Sequence, residues 1–259
     1  MKDNIFFLKC SQSHALKGTI EALKDILIDV SVTISTDGLK ICCLDYSKTA
    51  IVFLKIDADK CDEFHCSSPI TIGLCMGSLF KLIKSMMSND IISLFIRSDL
   101  TEKLRICIES KDRCMRIESE LTTLDLDDDS ITIPKIDFSC ILQVPSSEFS
   151  KNVRDLANVG EYVQLSVVDG TFRMTATGNF ATQTLIFSER LNGLQFQSCS
   201  DENIQGKFSL KYLSLFSKSA SLSSMVEIYM RSQIPLVLKY NIGTIGRMQY
   251  VLSPKTDED

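Results

Sequence analysis

One order of elements recurs four times along the chain, twice in each half: a strand, an amphipathic helix, then several strands. Internal repetition confines a chain to copies of one supersecondary unit, usually set in an arch or ring. The copies are read from pattern and spacing, because identity between them is slight. The helical stretches carry the clearest echo. In residues 147–158, laid out at about 100° per residue, Phe149, Val153, Leu156 and Ala157 share one arc and Lys151 and Arg154 lie opposite. Residues 78–88 repeat the layout, with Leu79, Phe80, Ile83 and Met86 on one arc and Lys81 and Lys84 opposite. The two remaining helices echo each other. Leu16-Lys17 is followed seven residues later by Lys24, and Leu210-Lys211 seven residues later by Lys218. Each helix therefore has two cations on a common side.

Taken in order, strands are expected at 4–10, 30–35, 39–44, 50–56, 61–66, 70–74, 91–97, 103–110 and 113–121. Helix one starts at Ser13 or His14 and runs to about Leu27, with Leu16, Ile20, Leu23 and Leu27 inward. Helix two covers 77–88. In the second half, strands are expected at 139–144, 162–168, 172–177, 182–188, 206–210, 225–230, 236–242 and 247–252, with helix three after Pro145 and helix four at 211–220. Asp37-Gly38 and Asp169-Gly170 mark equivalent hairpin turns. Residues 122–137, TTLDLDDDSITIPKID, interrupt the pattern with aspartates, a proline and isolated apolar residues, and read as a linker. Strands follow one another directly, so the sheets are expected to be antiparallel with helices on one face. The fold class is α+β. Two similar domains with two helices each occupy 1–121 and 138–259 and are joined by linker 122–137.

The net charge of −5 argues by itself against nucleic acid. Its distribution reverses that. The helical stretches hold eight cations against four acids, Glu21, Asp25, Glu148 and Asp155, so the remainder is more acidic than the whole. An acidic body with basic helices can still offer one positive surface to phosphate. Glu21 lies between Lys17 and Lys24 and is expected to neutralise them in part.

Other classes find little support. No run approaches the roughly 18 apolar residues of a membrane span, and the start of the chain lacks the apolar region of a secretory signal. The ten cysteines contain no C-x-x-C and are expected to be thiols in a reducing compartment. The cluster Cys61, His65, Cys66 reads as a strand-and-loop coincidence. Asp127 to Asp129 read as solvated linker, since consecutive residues of an extended segment point to alternate sides. The two histidines, His14 and His65, adjoin no nucleophile motif, and phosphate-loop and dinucleotide glycine patterns are absent. With no tryptophan and no basic–aromatic alternation there is no stacking platform for single strands. Neither catalysis nor a cofactor is expected.

Several separate pieces, in order, resemble the proliferating cell nuclear antigen family of DNA sliding clamps. They are Glu21-Ala-Leu-Lys-Asp25, Leu44-Asp45-Tyr46-Ser47, Pro145-Ser-Ser-Glu-Phe149 with Arg154-Asp155-Leu156, and Tyr212-Leu213 with Phe216-Ser-Lys218. The end of the chain adds Pro235-Leu-Val-Leu-Lys-Tyr240 and Tyr250-Val-Leu-Ser-Pro-Lys255. The resemblance covers nearly the whole length. It implies the DNA clamp fold, with six domains in a homotrimeric ring that encircles duplex DNA in the nucleus. It also implies service as a processivity factor in DNA replication and repair. Lys17, Lys24, Lys81, Lys84, Lys151, Arg154, Lys211 and Lys218 would line the hole.

The resemblance also implies a partner groove between the linker and the C-terminal segment. Its residues would be Leu44, Lys48, Thr49, Ile51, Leu126, Ile131, Ile133, Pro235, Val251, Leu252, Ser253 and Pro254. Polymerase, clamp loader, flap nuclease and ligase would dock there through short hydrophobic plugs. Lys48 stands where a histidine is commoner and Val251 where an aromatic usually walls the pocket, a loss of contact worth about 1 kcal/mol. The family's ubiquitin-acceptor lysine would fall at Val168 or Asp169. Subunits would join edge to edge, with Lys111, Arg113, Met115 and Ile117 of one chain against Phe180, Thr182, Thr184 and Leu185 of the next. The alternative is a subunit of a heterotrimeric, checkpoint-type clamp that does not close on itself.

Overall fold

The computed structural model describes residues 4–110, 112–126, 131, 136–188, 193–199 and 203–255. The chain forms two compact units. The first comprises Met1–Cys43, Val52–Ile131 and Asn241–Met248; the second comprises Leu44–Ile51, Thr132–Tyr240 and Gln249–Asp259. Each unit thus borrows a short segment from the other half of the sequence.

The first half runs β1 (Asn4–Cys10), α1 (Ser13–Leu23), β2 (Asp29–Ser35), β3 (Gly38–Leu44), β4 (Ala50–Asp57), β5 (Glu63–Cys66), β6 (Ile70–Cys75), α2 (Met76–Ile83), β7 (Ile91–Arg97), β8 (Leu100–Ser110) and β9 (Met115–Thr122). The second runs β10 (Cys140–Pro145), α3 (Ser146–Ala157), β11 (Tyr162–Val168), β12 (Thr171–Thr177), β13 (Thr182–Phe187), β14 (Gln195–Cys199), β15 (Ile204–Ser209), α4 (Leu210–Phe216), β16 (Met225–Met230), β17 (Leu236–Ile242) and β18 (Gly246–Leu252). The expected α+β class with antiparallel sheets is what the chain adopts.

In the first unit one sheet has the order β5-β1-β7-β8-β9, and β4-β3-β2-β6 form a second layer. The second unit has β13-β12-β11-β15 and the run β14-β10-β16-β17-β18. Within each unit the two helices pack on each other, α1 on α2 and α3 on α4. Strand burial follows period two. Val52, Leu54 and Ile56 turn inward along β4, and Cys140, Leu142 and Val144 along β10. Phe6, Leu8, Leu23, Ile34 and Ile83 are fully buried in the first unit. In the second, the Phe216 and Tyr250 rings stack at 4.4 Å, and the Tyr250 hydroxyl meets Ser219 Oγ at 2.7 Å. Burying Phe149, Val153 and Leu156 fixes α3, each contributing about 1.5–3 kcal/mol.

The hairpin turns differ in detail. Asp169 and Gly170 both have positive φ, 49° and 66°, as a type I′ turn requires. Gly38 has φ 127°, and a Cβ there would run into the Ile56 carbonyl, so the close approach of β4 demands glycine.

Several boundaries depart from expectation. α1 stops at Leu23, and the backbone of Lys24–Ile26 turns, with Ile26 N–H donating to the Leu23 carbonyl at 2.9 Å. Its buried face is Ser13, Leu16, Thr19, Ala22 and Leu23, so Ile20 is only half-buried. α2 ends at Ile83, and Met86 is buried from the turn beyond it. Ala157 at the end of α3 is exposed, not part of the apolar arc. The fourth helical stretch changes type. α4 ends at Phe216, and Ser217–Ser221 form a 3₁₀ turn, where Ser217 Oγ donates to the Ser214 carbonyl at 2.9 Å and competes with the helical ladder. Strand β14, QFQSC, was not expected at all.

Candidate nucleic-acid and partner surfaces

The helical cations do not behave alike. In the first unit Lys81 and Lys84 are exposed and make no ion pair among the described residues. Lys17 and Lys24 are half-buried. Lys17 Nζ donates to the Met86 carbonyl at 2.8 Å. Lys24 Nζ sits 2.7 Å from Asp25 Oδ1 and 5.1 Å over the Phe80 ring. The expected neutralisation by Glu21 is therefore corrected. Lys24 caps the end of α1, where its stem reaches the next carboxylate and the α2 aromatic instead of turning back along the helix. In the second unit Lys151, Arg154 and Lys211 are exposed, and Lys218 is exposed on the 3₁₀ turn. Five cations, Lys81, Lys84, Lys151, Arg154 and Lys211, thus remain available to an external anion.

A second cluster is built on Asp45, which is 6% exposed. Its carboxylate accepts from Thr49 N–H at 2.8 Å, Ala50 N–H at 2.7 Å, Ser47 N–H at 3.0 Å and the Tyr212 hydroxyl at 2.6 Å. The cradle holds Lys48 at φ 55° and leaves Tyr46 93% exposed at the tip. Burial pushes the Asp45 carboxyl up, but the Tyr212 hydroxyl and the three N–H donors outweigh it and hold it below the usual carboxylate range. Ser253 N–H donates to the Thr49 carbonyl at 3.1 Å, so the chain end is tied to the same loop.

Of the expected groove residues, Leu44, Lys48, Thr49, Ile51, Pro235, Val251, Leu252, Ser253 and Pro254 belong to the second unit. Leu44, Lys48 and Ser253 are exposed, Thr49, Ile51, Pro235 and Pro254 half-buried, and Val251 and Leu252 buried. Leu126 and Ile131 belong to the first unit. There the linker begins by docking on β6. Gly73 and Leu124 exchange backbone hydrogen bonds at 3.2 and 2.8 Å, and a Cβ on Gly73 would collide with Leu124 and Leu126. Cys42 Sγ lies 3.5 Å from the Ile131 carbonyl. Ile133 and Lys111, like Asp127 to Asp129, lie outside the described residues.

The expected contact strands are both sheet edges. Among the described residues β9 pairs only with β8 and β13 only with β12. Met115 is exposed and Ile117 half-buried. Arg113 is turned inward, its Nη2 2.6 Å from the buried Asp90 carboxylate. Thr184 Oγ1 is engaged with Thr175 Oγ1 at 3.1 Å and Thr182 Oγ1 donates to Thr177 at 3.3 Å, while Leu185 is half-buried. The apolar surface along that edge comes from Phe180, 78% exposed, and from Ile186, 57% exposed. Ile186 lies in the same edge segment as the expected Thr182, Thr184 and Leu185 and adds an exposed apolar side chain to it.

Cys61 follows a 3₁₀ turn, while His65 and Cys66 point to opposite faces of β5. No helix among the described residues is long and apolar enough to cross a membrane.

Sequence models of the N-terminal and C-terminal domains of proliferating cell nuclear antigen match residues 5–130 and 132–255. The chain is 29% identical over 258 residues to "Probable DNA polymerase sliding clamp 1" of Paramecium bursaria Chlorella virus 1, covering 97% of this chain and 98% of that one. It is 30% identical over 250 residues to "Proliferating cell nuclear antigen 2" of Drosophila melanogaster, covering 96% and 97%. Its fold matches the crystal structure of proliferating cell nuclear antigen from Entamoeba histolytica with a TM-score of 0.90. That match covers 98% of this chain and 100% of the other at 24% identity.

Proposed function

The chain belongs to the proliferating cell nuclear antigen family, and from that membership we infer that it is a DNA sliding clamp, a non-enzymatic processivity factor for DNA polymerase. The observation that carries this is the succession of the two domain matches, over residues 5–130 and 132–255, in the family's order.

A clamp encircles duplex DNA and tethers the polymerase to it. Phosphate contacts carry no base information, so lysines and arginines directed at the backbone leave successive registers nearly equivalent and permit sliding. We propose that Lys81, Lys84, Lys151, Arg154, Lys211 and Lys218 meet phosphate, with Lys17 and Lys24 in support. The partial engagement of that pair suits a ring whose retention is topological, because tight contacts would slow it. The ring is proposed to be a homotrimer in the nucleus, joined through β9 of one chain and β13 of the next. Partner plugs, including those of the clamp loader, flap nuclease and ligase, are proposed to dock on the loop braced by Asp45 and on Val251–Pro254, with Leu126 and Ile131 assigned by resemblance.

The test is retention on DNA. Loaded onto a nicked circle by a clamp loader, the protein is expected to stay bound at high salt and to be lost when the circle is cut. Equal loss from intact and linearised DNA would overturn the reading.

A further inference from the structure

All ten cysteines stand as thiols, and two of them face each other across a strand pair. Cys140 opens β10, Cys199 closes β14, and they are direct partners in the antiparallel register. Cys140 is fully buried and Cys199 is exposed. Their side chains are nonetheless within hydrogen-bond reach of one another. Residues directly opposed in such a pair hold their Cβ atoms about 4.5–5.5 Å apart, and a disulfide spans about 3.5–4.5 Å. The difference is small, and the site can absorb it. Among the described residues β14 is an edge strand, held from one side only, and the register already shifts between Ile141 and Leu142 beside the pair. The adjacent Cys42 and Cys43 lack this geometry, since neighbours on one strand point to opposite faces.

We infer that Cys140 and Cys199 form a redox modification site, a dithiol that a hydroperoxide closes into a reversible cross-strand disulfide. The Cys199 thiolate attacks the peroxide oxygen and the O–O bond breaks. Hydroxide leaves and takes up a proton, and Cys199 is oxidised to the sulfenic acid. The Cys140 sulfur then attacks the Cys199 sulfur. The S–S bond forms, the S–O bond breaks, and the hydroxyl departs as water with the Cys140 proton. Two thiols and one hydrogen peroxide become one disulfide and two waters. The order of events follows from burial. Exposed Cys199 meets the oxidant, while burial pushes the Cys140 thiol up to about 12 and keeps it protonated until its partner is activated. The bond would pin the edge strand to β10, the strand that runs directly into α3 with Lys151 and Arg154.

The experiment treats the full chain with graded hydrogen peroxide, blocks remaining thiols with iodoacetamide and maps peptides without reduction. The expected product is an intramolecular Cys140–Cys199 peptide, lighter by two hydrogens and reversed by dithiothreitol. It should be lost in Cys199→Ser and kept in Cys114→Ser. The oxidised chain should also melt about 5 °C higher, a gain Cys199→Ser does not show. Over-oxidation of Cys199 with Cys140 still alkylatable, or a bond from Cys199 to a second chain, would overturn the proposal. Because Cys199 is exposed, its serine variant is expected to melt like the untreated parent, which keeps the comparison valid.

Discussion

Asp45 draws four donors to one carboxylate and through them fixes the course of residues 45–50. Removing it strands those donors, among them the buried Ala50 N–H. Asp45→Ala is therefore expected to lower stability by about 2–3 kcal/mol, read as a shift of the urea midpoint at neutral pH. The pH dependence has a definite sign. A carboxyl held below its ordinary range when folded adds stability above that range, and the contribution disappears as pH falls through the folded value. Asp45→Asn should accordingly lose less stability than the parent as the medium is acidified below about pH 4. Parallel acid curves for the two proteins would show that the carboxylate charge contributes nothing. Tyr212 ties this brace to α4, one residue from Lys211.

The exposed cations of α2 and α3 are the ones least committed to the protein itself. Lys81→Glu combined with Arg154→Glu is expected to cut polymerase processivity at least about tenfold at moderate salt while molar mass stays unchanged. Undiminished processivity would remove these helices from the DNA surface. Elements were legible where periodicity was strong. β4 and β10 alternate cleanly, and α3 shows its buried Phe149, Val153 and Leu156 in its spacing. β14 was not legible, because QFQSC is an exposed edge with no buried face to write an alternation. The helical period also misplaced Lys218, since Ser217–Ser221 tightens to 3₁₀ through short-range serine bonds that carry no apolar signal. The candidate surfaces divide in the same way. Exposed lysines could be read from helix faces, and the groove and edge residues came from resemblance. The Asp45 brace could not be read, because its Tyr212 partner is 167 residues away. Nor could the anchoring of Lys17, which depends on a carbonyl beyond the end of α2.

For the molecule as a whole, some of the exposed apolar groups sit where sheets end. Met115 lies on β9, and Phe180 and Ile186 flank or occupy β13, each strand with one unpaired side among the described residues. Such edges invite pairing with another chain. Ile186→Arg is expected to shift light-scattering mass from about three times 29.0 kDa toward a single chain on dilution to micromolar concentration. A variant that keeps the parental mass would place the contact elsewhere. The segment exchange bears on a different matter. Residues 44–51 serve the second unit and 241–248 the first, so the genetic halves and the physical halves do not coincide. A gene split at the linker would encode two fragments, each carrying a strip of its neighbour and missing one of its own. Such a chain is expected to resist shuffling as separable cassettes, its two halves being altered best as a matched pair.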